Sequence, residues 1–284
     1  AAFLLRCRPG GLQVPGMGET RIRRMFETVR EQKRPGLIVF VTAGFPDMEA
    51  TLELVPALVA AGADAVEIGV PFSDPLAEGP VIQESSFKAL QNGTSLEDCL
   101  NAAETLREKI PETPVILMGY YNPIHTYGLV PFTQRCQEAG VDGLIAVDLP
   151  GFEAAPLITE CRERDISMIP LLAPTSTDES IKDACGGASG FVYCISVTGV
   201  TGARDQVSGR SFELLDRVRA QTSLPLAVGF GISNRTHVEE VGKTAEAAVV
   251  GSALIRVMLE SPREELVERT SRFVAELAGA TLPS

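Results

Sequence analysis

The sequence has no tryptophan and only two histidines, His125 and His237, among its 284 residues. Two histidines are too few for a histidine-rich metal site and leave little material for a Ser–His catalytic triad. The six cysteines are scattered with no Cys-x-x-Cys pair, which favours reduced thiols over disulfides or a metal site. No apolar run approaches the roughly 18 residues of a membrane span. These absences predict a cytoplasmic protein without a metal centre.

Positive charge is also scarce. Lysine and arginine total 25 against 37 aspartates and glutamates, which gives a net charge of −12. Nucleic acids and anionic membranes require clustered positive charge, so neither is expected as a partner. A phosphate ligand remains compatible with this balance, because backbone amides at a helix N-terminus bind phosphate without a cation.

Residues 1–18 differ from the rest of the chain. They contain Arg6 and Arg8, several glycines and prolines, and no acidic residue. This composition fits a transit-peptide remnant, a cloning scar or an extension upstream of a start at Met17. We therefore predict an N-terminal extension over 1–18 and one catalytic domain over 19–284. A plastid location is the alternative to the cytoplasm if residues 1–16 are a transit remnant.

After this extension, short apolar runs alternate with stretches of helical character. The predicted strands are 37–42, 65–70, 115–118, 143–147, 168–172, 190–195, 226–228 and 247–250. The predicted helices include 47–61, 95–109, 131–139, 154–164 and 211–221, with an additional N-terminal helix at 20–32. A final helix at 262–277 would be capped by Ser261, with Pro262 in its first turn.

Eight βα units without a linker favour one closed barrel. The alternative is an open doubly wound sheet, but no G-x-G-x-x-G motif follows the first strand. We predict an α/β fold, a single (β/α)₈ TIM barrel with an extra N-terminal helix. Its active site would lie at the carboxyl ends of the strands.

Glu67 is the most unusual residue in the predicted strands, because it lies between Val66 and Ile68 in an apolar run. A carboxylate there is costly unless it is paired or transfers a proton. The loop that follows carries Asp74 and Glu78. Either could be a solvated loop residue, or a second carboxyl group that shares acid and base roles with Glu67.

Glycine-rich segments follow the last three predicted strands, at 198–202, 229–233 and 251–253. Glycines allow the backbone to approach phosphate oxygens, and a short helix over 252–260 would add N–H donors. Barrels often bind phosphate in the loops after strands seven and eight. The aromatic residues Phe40, Tyr120 and Tyr193 could form core or an aromatic substrate pocket.

Several of these segments together resemble one family. Residues 67–80, EIGVPFSDPLAEGP, closely resemble the signature of the tryptophan synthase α chain. Further similar segments are FVTAG (40–44), LMGYYNPI (117–124), VDLP (147–150), GVTG (199–202), GFGIS (229–233) and VGSA (250–253). They occur in the expected order across residues 20–278.

The resemblance implies retro-aldol cleavage of indole-3-glycerol phosphate to indole and glyceraldehyde 3-phosphate. It also implies a partner, the pyridoxal-phosphate-dependent β subunit, which would receive indole through a tunnel in an αββα complex. No cofactor is expected in this chain. The residues agree: the five lysines map to helices or connections, so a Schiff-base aldolase is disfavoured and carboxylate acid–base catalysis remains.

The resemblance also assigns roles to residues. Glu67 would protonate indole C3 and assist removal of the glycerol hydroxyl proton. Glu78 would accept the indole N–H, although the family usually has aspartate there, in an L-A-D-G motif. The indole pocket would contain Phe40, Tyr120 and Tyr193, and the phosphate site Gly202, Gly231, Gly251 and Ser252. Thr201 would lie on a mobile loop, 197–210, that closes over the substrate.

Three alternatives remain open from the sequence. One is a free-standing indole-3-glycerol-phosphate lyase, which would keep both carboxylates and need no β subunit. Another is a weakened α chain that acts mainly as a regulatory partner, for which Glu78 is the only support. A third, a phosphosugar isomerase on the same barrel, would share the phosphate loops without explaining residues 67–80.

Overall fold

A computed structural model of the chain describes residues 17–195, 209–229 and 231–280. In this part of the chain the sheet contains nine strands, and every pairing between neighbours is parallel. The strands are β1 (Gly36–Thr42), β2 (Ala65–Gly69), β3 (Val115–Gly119), β4 (Gly143–Ala146), β5 (Ser167–Met168), β6 (Leu171–Leu172), β7 (Val192–Ile195), β8 (Leu226–Gly229) and β9 (Ala247–Val250).

Helices connect most of these strands. They are α1 (Met17–Glu31), α2 (Met48–Ala60), α3 (Pro80–Gln91), α4 (Leu96–Lys109), α5 (Tyr121–Tyr127), α6 (Leu129–Glu138), α7 (Ala155–Glu163), α8 (Asp178–Gly187), α9 (Gly209–Arg219), α10 (Arg235–Val241), α11 (Ser252–Leu259) and α12 (Leu266–Ala278). Side-chain caps fix several of their starts. Asp47 accepts from the Ala50 amide at α2, and Ser95 with Asp98 forms a capping box at α4.

The barrel closes through a divided strand. β5 and β6 lie at opposite ends of the ladder, yet only Ile169 and Pro170 separate them in the chain. β5 pairs with β4, and β6 pairs with β7. The division falls at Pro170, which has no N–H to donate to the ladder. Together β5 and β6 correspond to the single strand predicted at 168–172, and the predicted eight-unit barrel is confirmed.

Most predicted boundaries agree with the structure to within about two residues. The first helix begins at Met17 rather than at residue 20. The proposed extension over 1–18 stays a prediction, because residues 1–16 lie outside the described ranges.

The prediction of the last helix was wrong at its start. A 3₁₀ turn, Arg263–Glu265, precedes α12, which begins at Leu266. The Ser261 hydroxyl donates to the Val257 carbonyl of α11, at 2.6 Å. It is therefore bonded to the preceding helix and does not cap the following one.

One end of the barrel is closed by α1. Ile22 and Phe26 pack inside the strands with Ile38 and Ile116, and the rings of Phe26 and Phe191 lie 5.6 Å apart. Asp142, fully buried, bonds Arg21 of α1 and Arg107 of α4, each at 2.6 Å. Because the amino ends of the strands are filled in this way, the space for a ligand lies at their carboxyl ends.

Among the described residues, no helix has both the length and the apolar character needed to cross a membrane.

Candidate active site

A cavity of about 220 Å³ lies at the carboxyl ends of the strands, where the sequence predicts the site. It brings together seven of the ten predicted site residues. These are Phe40, Glu67, Glu78, Tyr193, Gly231, Gly251 and Ser252. Thr201 and Gly202, with the rest of the predicted lid except Gly209 and Arg210, lie outside the described residues.

Glu67 is held by β2 in the interior of the barrel, in register with Phe40 of β1 and Ile116 of β3. Its side chain is fully buried, and neither carboxyl oxygen has a hydrogen-bond partner in the described part of the chain. Burial without a counter-charge raises the pKa of Glu67 to about 8. At neutral pH the group is therefore a carboxylic acid that faces the cavity, ready to donate a proton.

Glu78 lies on the loop between β2 and α3, in a different environment. Burial raises the pKa of Glu78, while a hydrogen bond from Tyr120 favours the ionised form. The Tyr120 hydroxyl donates to Glu78 Oε2 at 3.0 Å. Asp74, the other acid of this loop, is exposed and accepts a bond from the Ser73 hydroxyl at 2.6 Å. Asp74 is thus a solvated loop residue, and Glu78 is the second carboxyl group of the cavity.

Two glycines make room for the aromatic walls. A Cβ at Gly69 would lie 2.3 Å from Cζ of Phe40, and one at Gly229 would lie 2.0 Å from the Tyr193 hydroxyl. Neither position accepts a side chain unless the aromatic residue moves. Burial, together with the nearby Glu67, raises the pKa of Tyr193 well above its ordinary value. The phenol is therefore neutral and presents a flat surface with one hydroxyl.

Tyr120 occupies a position that the sequence did not indicate. The resemblance predicts it in the indole pocket, but the described residues that line the cavity do not include it. Its side chain is buried behind Glu78 and stacks on Phe72, with ring centroids 4.7 Å apart. Its hydroxyl is hydrogen-bonded to the Ala77 amide and to the Glu78 carboxylate, and both of these residues line the cavity.

Three of the four predicted phosphate residues, Gly231, Gly251 and Ser252, follow β8 and β9, which are neighbours in the sheet, and line the cavity. Gly231 has a positive φ of 78°, a conformation that favours glycine. Gly251 precedes α11, whose first residue is Ser252, so the N-terminus of this helix opens on the cavity. Free amides and the helix dipole at such an end stabilise an anion.

Arg256 also lines the cavity, and the sequence analysis missed it. It lies four residues after Ser252, so the two side chains share one face of α11. The four-residue spacing could have indicated from the sequence that Arg256 lies beside Ser252. The apolar lining was missed as well, because nothing separates it from ordinary core residues in the sequence. Its members are Ile82, Met118, Leu171, Ile195, Ile232 and Val249.

The arrangement combines a neutral buried acid, a second carboxyl group, aromatic and apolar walls, and an anion site at a helix N-terminus. It suits a ligand with an apolar ring at one end and a phosphate at the other. Proton transfer is the chemistry that the two carboxyl groups offer.

Comparisons with known proteins identify the family. The profile of the family described as tryptophan synthase alpha chain matches residues 26–281. The tryptophan synthase alpha chain of Roseiflexus sp. (strain RS-1) is 46% identical over 260 residues, covering 92% of this chain and 100% of the relative. That of Dehalococcoides mccartyi is 45% identical over 246 residues, covering 87% and 95%.

Solved structures agree with the sequence relatives. Tryptophan synthase subunit alpha from Legionella pneumophila str. Paris superposes with a TM-score of 0.82 at 35% identity, covering 91% of this chain and 97% of that one. A chain of Mycobacterium tuberculosis tryptophan synthase superposes with a TM-score of 0.83 at 34% identity, with the same coverage. The chain therefore belongs to the tryptophan synthase alpha chain family.

Proposed function

We propose that this chain is an alpha subunit that cleaves indole-3-glycerol phosphate to indole and glyceraldehyde 3-phosphate. The observation that carries the proposal is Glu67, a fully buried carboxyl group without a partner among the described residues, in a cavity that also holds Glu78. A buried acid of this kind lowers the stability of the fold, and such a cost is typical of a residue that transfers a proton in catalysis.

The proposed reaction steps follow from the different environments of Glu67 and Glu78. Neutral Glu67 donates its proton to C3 of the indole ring, and the positive charge that develops on the ring nitrogen is stabilised by the Glu78 carboxylate. The ionised Glu67 then takes the proton from the hydroxyl on the adjacent side-chain carbon. As that O–H bond breaks, the carbon–oxygen double bond forms and the carbon–carbon bond breaks towards C3. Indole and the aldehyde leave, and Glu67 is again protonated.

The phosphate would be bound at the other part of the cavity. Gly231, Gly251 and Ser252 offer backbone amides, and Arg256 supplies a positive charge at the cavity wall. Phe40 and Tyr193 would flank the indole ring. When the indole ring and the phosphate are both bound, C3 of the ring is held next to the Glu67 carboxyl group. Positioning these two reacting groups accelerates the proton transfer between them.

A β subunit is the proposed partner, in an αββα complex in which it holds pyridoxal phosphate and receives indole. Two large apolar side chains support a protein partner at this end of the barrel. Leu76, in the loop after β2, is 93% exposed, and Phe152, in the loop after β4, is 70% exposed. Exposed apolar groups around an active-site mouth are typical of an interaction surface. No cofactor is expected in this chain, no nucleic acid as a partner, and the cytoplasm remains the predicted location.

The test is the steady-state release of indole from indole-3-glycerol phosphate by the purified chain, alone and with a β subunit. We expect slow cleavage alone and a large increase with the β subunit. Fast cleavage that the β subunit does not increase would indicate the free-standing lyase. No cleavage under either condition would overturn the enzymatic proposal and favour a regulatory chain.

A further inference from the structure

Tyr120 follows directly after β3 and is only 4% exposed, yet its hydroxyl reaches the loop that carries Glu78. The hydroxyl accepts a hydrogen bond from the Ala77 amide at 2.9 Å and donates one to Glu78 Oε2 at 3.0 Å. A single oxygen atom therefore fixes both the backbone just before Glu78 and the carboxylate itself.

Few other hydrogen bonds between described residues hold this loop in place. Leu76 of this loop is 93% exposed, and within the loop the Leu76 amide donates to the Asp74 carbonyl at 2.9 Å and the Glu78 amide to the Pro75 carbonyl at 3.2 Å. The side-chain amide of Gln83 in α3 donates to the Glu78 carbonyl at 2.9 Å. None of these bonds touches the Glu78 carboxylate. The stacking of Phe72 on Tyr120 adds a second attachment to the same tyrosine.

We propose that Tyr120 is a positioning residue for Glu78, whose hydroxyl sets where the carboxylate meets the substrate. This inference rests on the proposed function. Glutamate has one more rotatable methylene than aspartate, so its carboxylate needs an external hydrogen bond to occupy a single position. The hydroxyl also lowers the pKa of Glu78, against the larger effect of burial, which raises it. Tyr120 thus holds the carboxylate in place, and it acts through Glu78 rather than as a wall of the cavity.

The decisive variant is Tyr120→Phe, which keeps the ring and its stacking on Phe72 and removes one oxygen. We expect kcat for indole release to fall about 10-fold or more, with KM nearly unchanged, because a bond to a charged group is lost while the cavity walls remain. Tyr121→Phe is the matched control, since the Tyr121 ring packs beside His125 and not beside Glu78. It should leave kcat unchanged.

A double-variant cycle separates positioning from general damage. A Glu78→Ala chain has no side-chain carboxylate for the Tyr120 hydroxyl to position. In that background Tyr120→Phe should lower kcat by less than about 2-fold. Equal losses in both backgrounds would overturn the inference.

Hydrogen exchange gives a readout that does not depend on cleavage. In Tyr120→Phe the Ala77 amide loses its acceptor and should exchange with solvent at least about 10-fold faster, while amides of β3 do not change. An unchanged Ala77 rate would contradict the inference even if the chain does not cleave the substrate. Absence of cleavage by the unsubstituted chain would instead contradict the proposed function.

Discussion

The buried carboxyl group of Glu67 should reduce the stability of the folded chain at neutral pH. The folded chain holds the Glu67 proton up to about pH 8, whereas the unfolded chain loses it near the ordinary pKa of 4.5. Between these pH values folding takes up a proton, so the free energy of unfolding falls as the pH rises. The stability that the chain has with a neutral Glu67 is complete below pH 4.5 and is lost as the pH rises towards 8. Glutamine imitates the neutral acid and does not titrate. Glu67→Gln should therefore be more stable than the natural chain above pH 4.5.

The size of the effect follows from the pKa values. Each pH unit between these two pKa values lowers the free energy of unfolding of the natural chain, relative to Glu67→Gln, by about 1.4 kcal/mol. The difference is about 3 kcal/mol at neutral pH and about 5 kcal/mol above pH 8. Urea denaturation of both chains at a series of pH values measures the difference. Glu108→Gln, at an exposed position of α4, is the matched control and should change stability little at any pH. A Glu67→Gln chain that is no more stable than the natural one at pH 8 would show that the pKa of Glu67 is not raised in the folded chain.

Two further substitutions test the packing on which the site depends. Gly229→Ala forces the Tyr193 hydroxyl away from a Cβ that would lie 2.0 Å from it, so we expect a loss of about 1–3 kcal/mol in thermal denaturation and a raised KM. Tyr193→Phe in the same chain should recover part of the stability; no recovery would argue against this contact. Asp142→Asn leaves Arg21 and Arg107 without their shared carboxylate and should cost about 3–5 kcal/mol in urea denaturation. A loss below about 1 kcal/mol would show that the pairs are solvated.

The sequence predicts the barrel well for a physical reason. Parallel strands that are buried on both faces appear as continuous apolar runs, and all seven residues of β1 and all five of β2 are buried. Glu67 was recognisable for the same reason, because a charge within such a run is an exception. Gly231, after β8, occupies a backbone conformation with φ 78° that favours glycine, so a glycine in this loop is informative in the sequence.

Other features depend on contacts between distant parts of the chain and left no local signal. The division of one strand at Pro170 becomes visible only when both neighbouring strands are in place. The direction of the Tyr120 hydroxyl depends on a loop 42 residues away along the chain. Arg256 had a usable spacing from Ser252, but only the cavity shows that this face of α11 meets the ligand space.

The proton-donor role of Glu67 is tested by the initial rate of indole release from indole-3-glycerol phosphate by Glu67→Gln beside the natural chain, with the β subunit present in both assays. We expect the variant, folded and more stable, to release indole at least about 100-fold more slowly, because an amide cannot donate the proton to C3. A folded Glu67→Gln chain that releases indole at the natural rate would contradict this role.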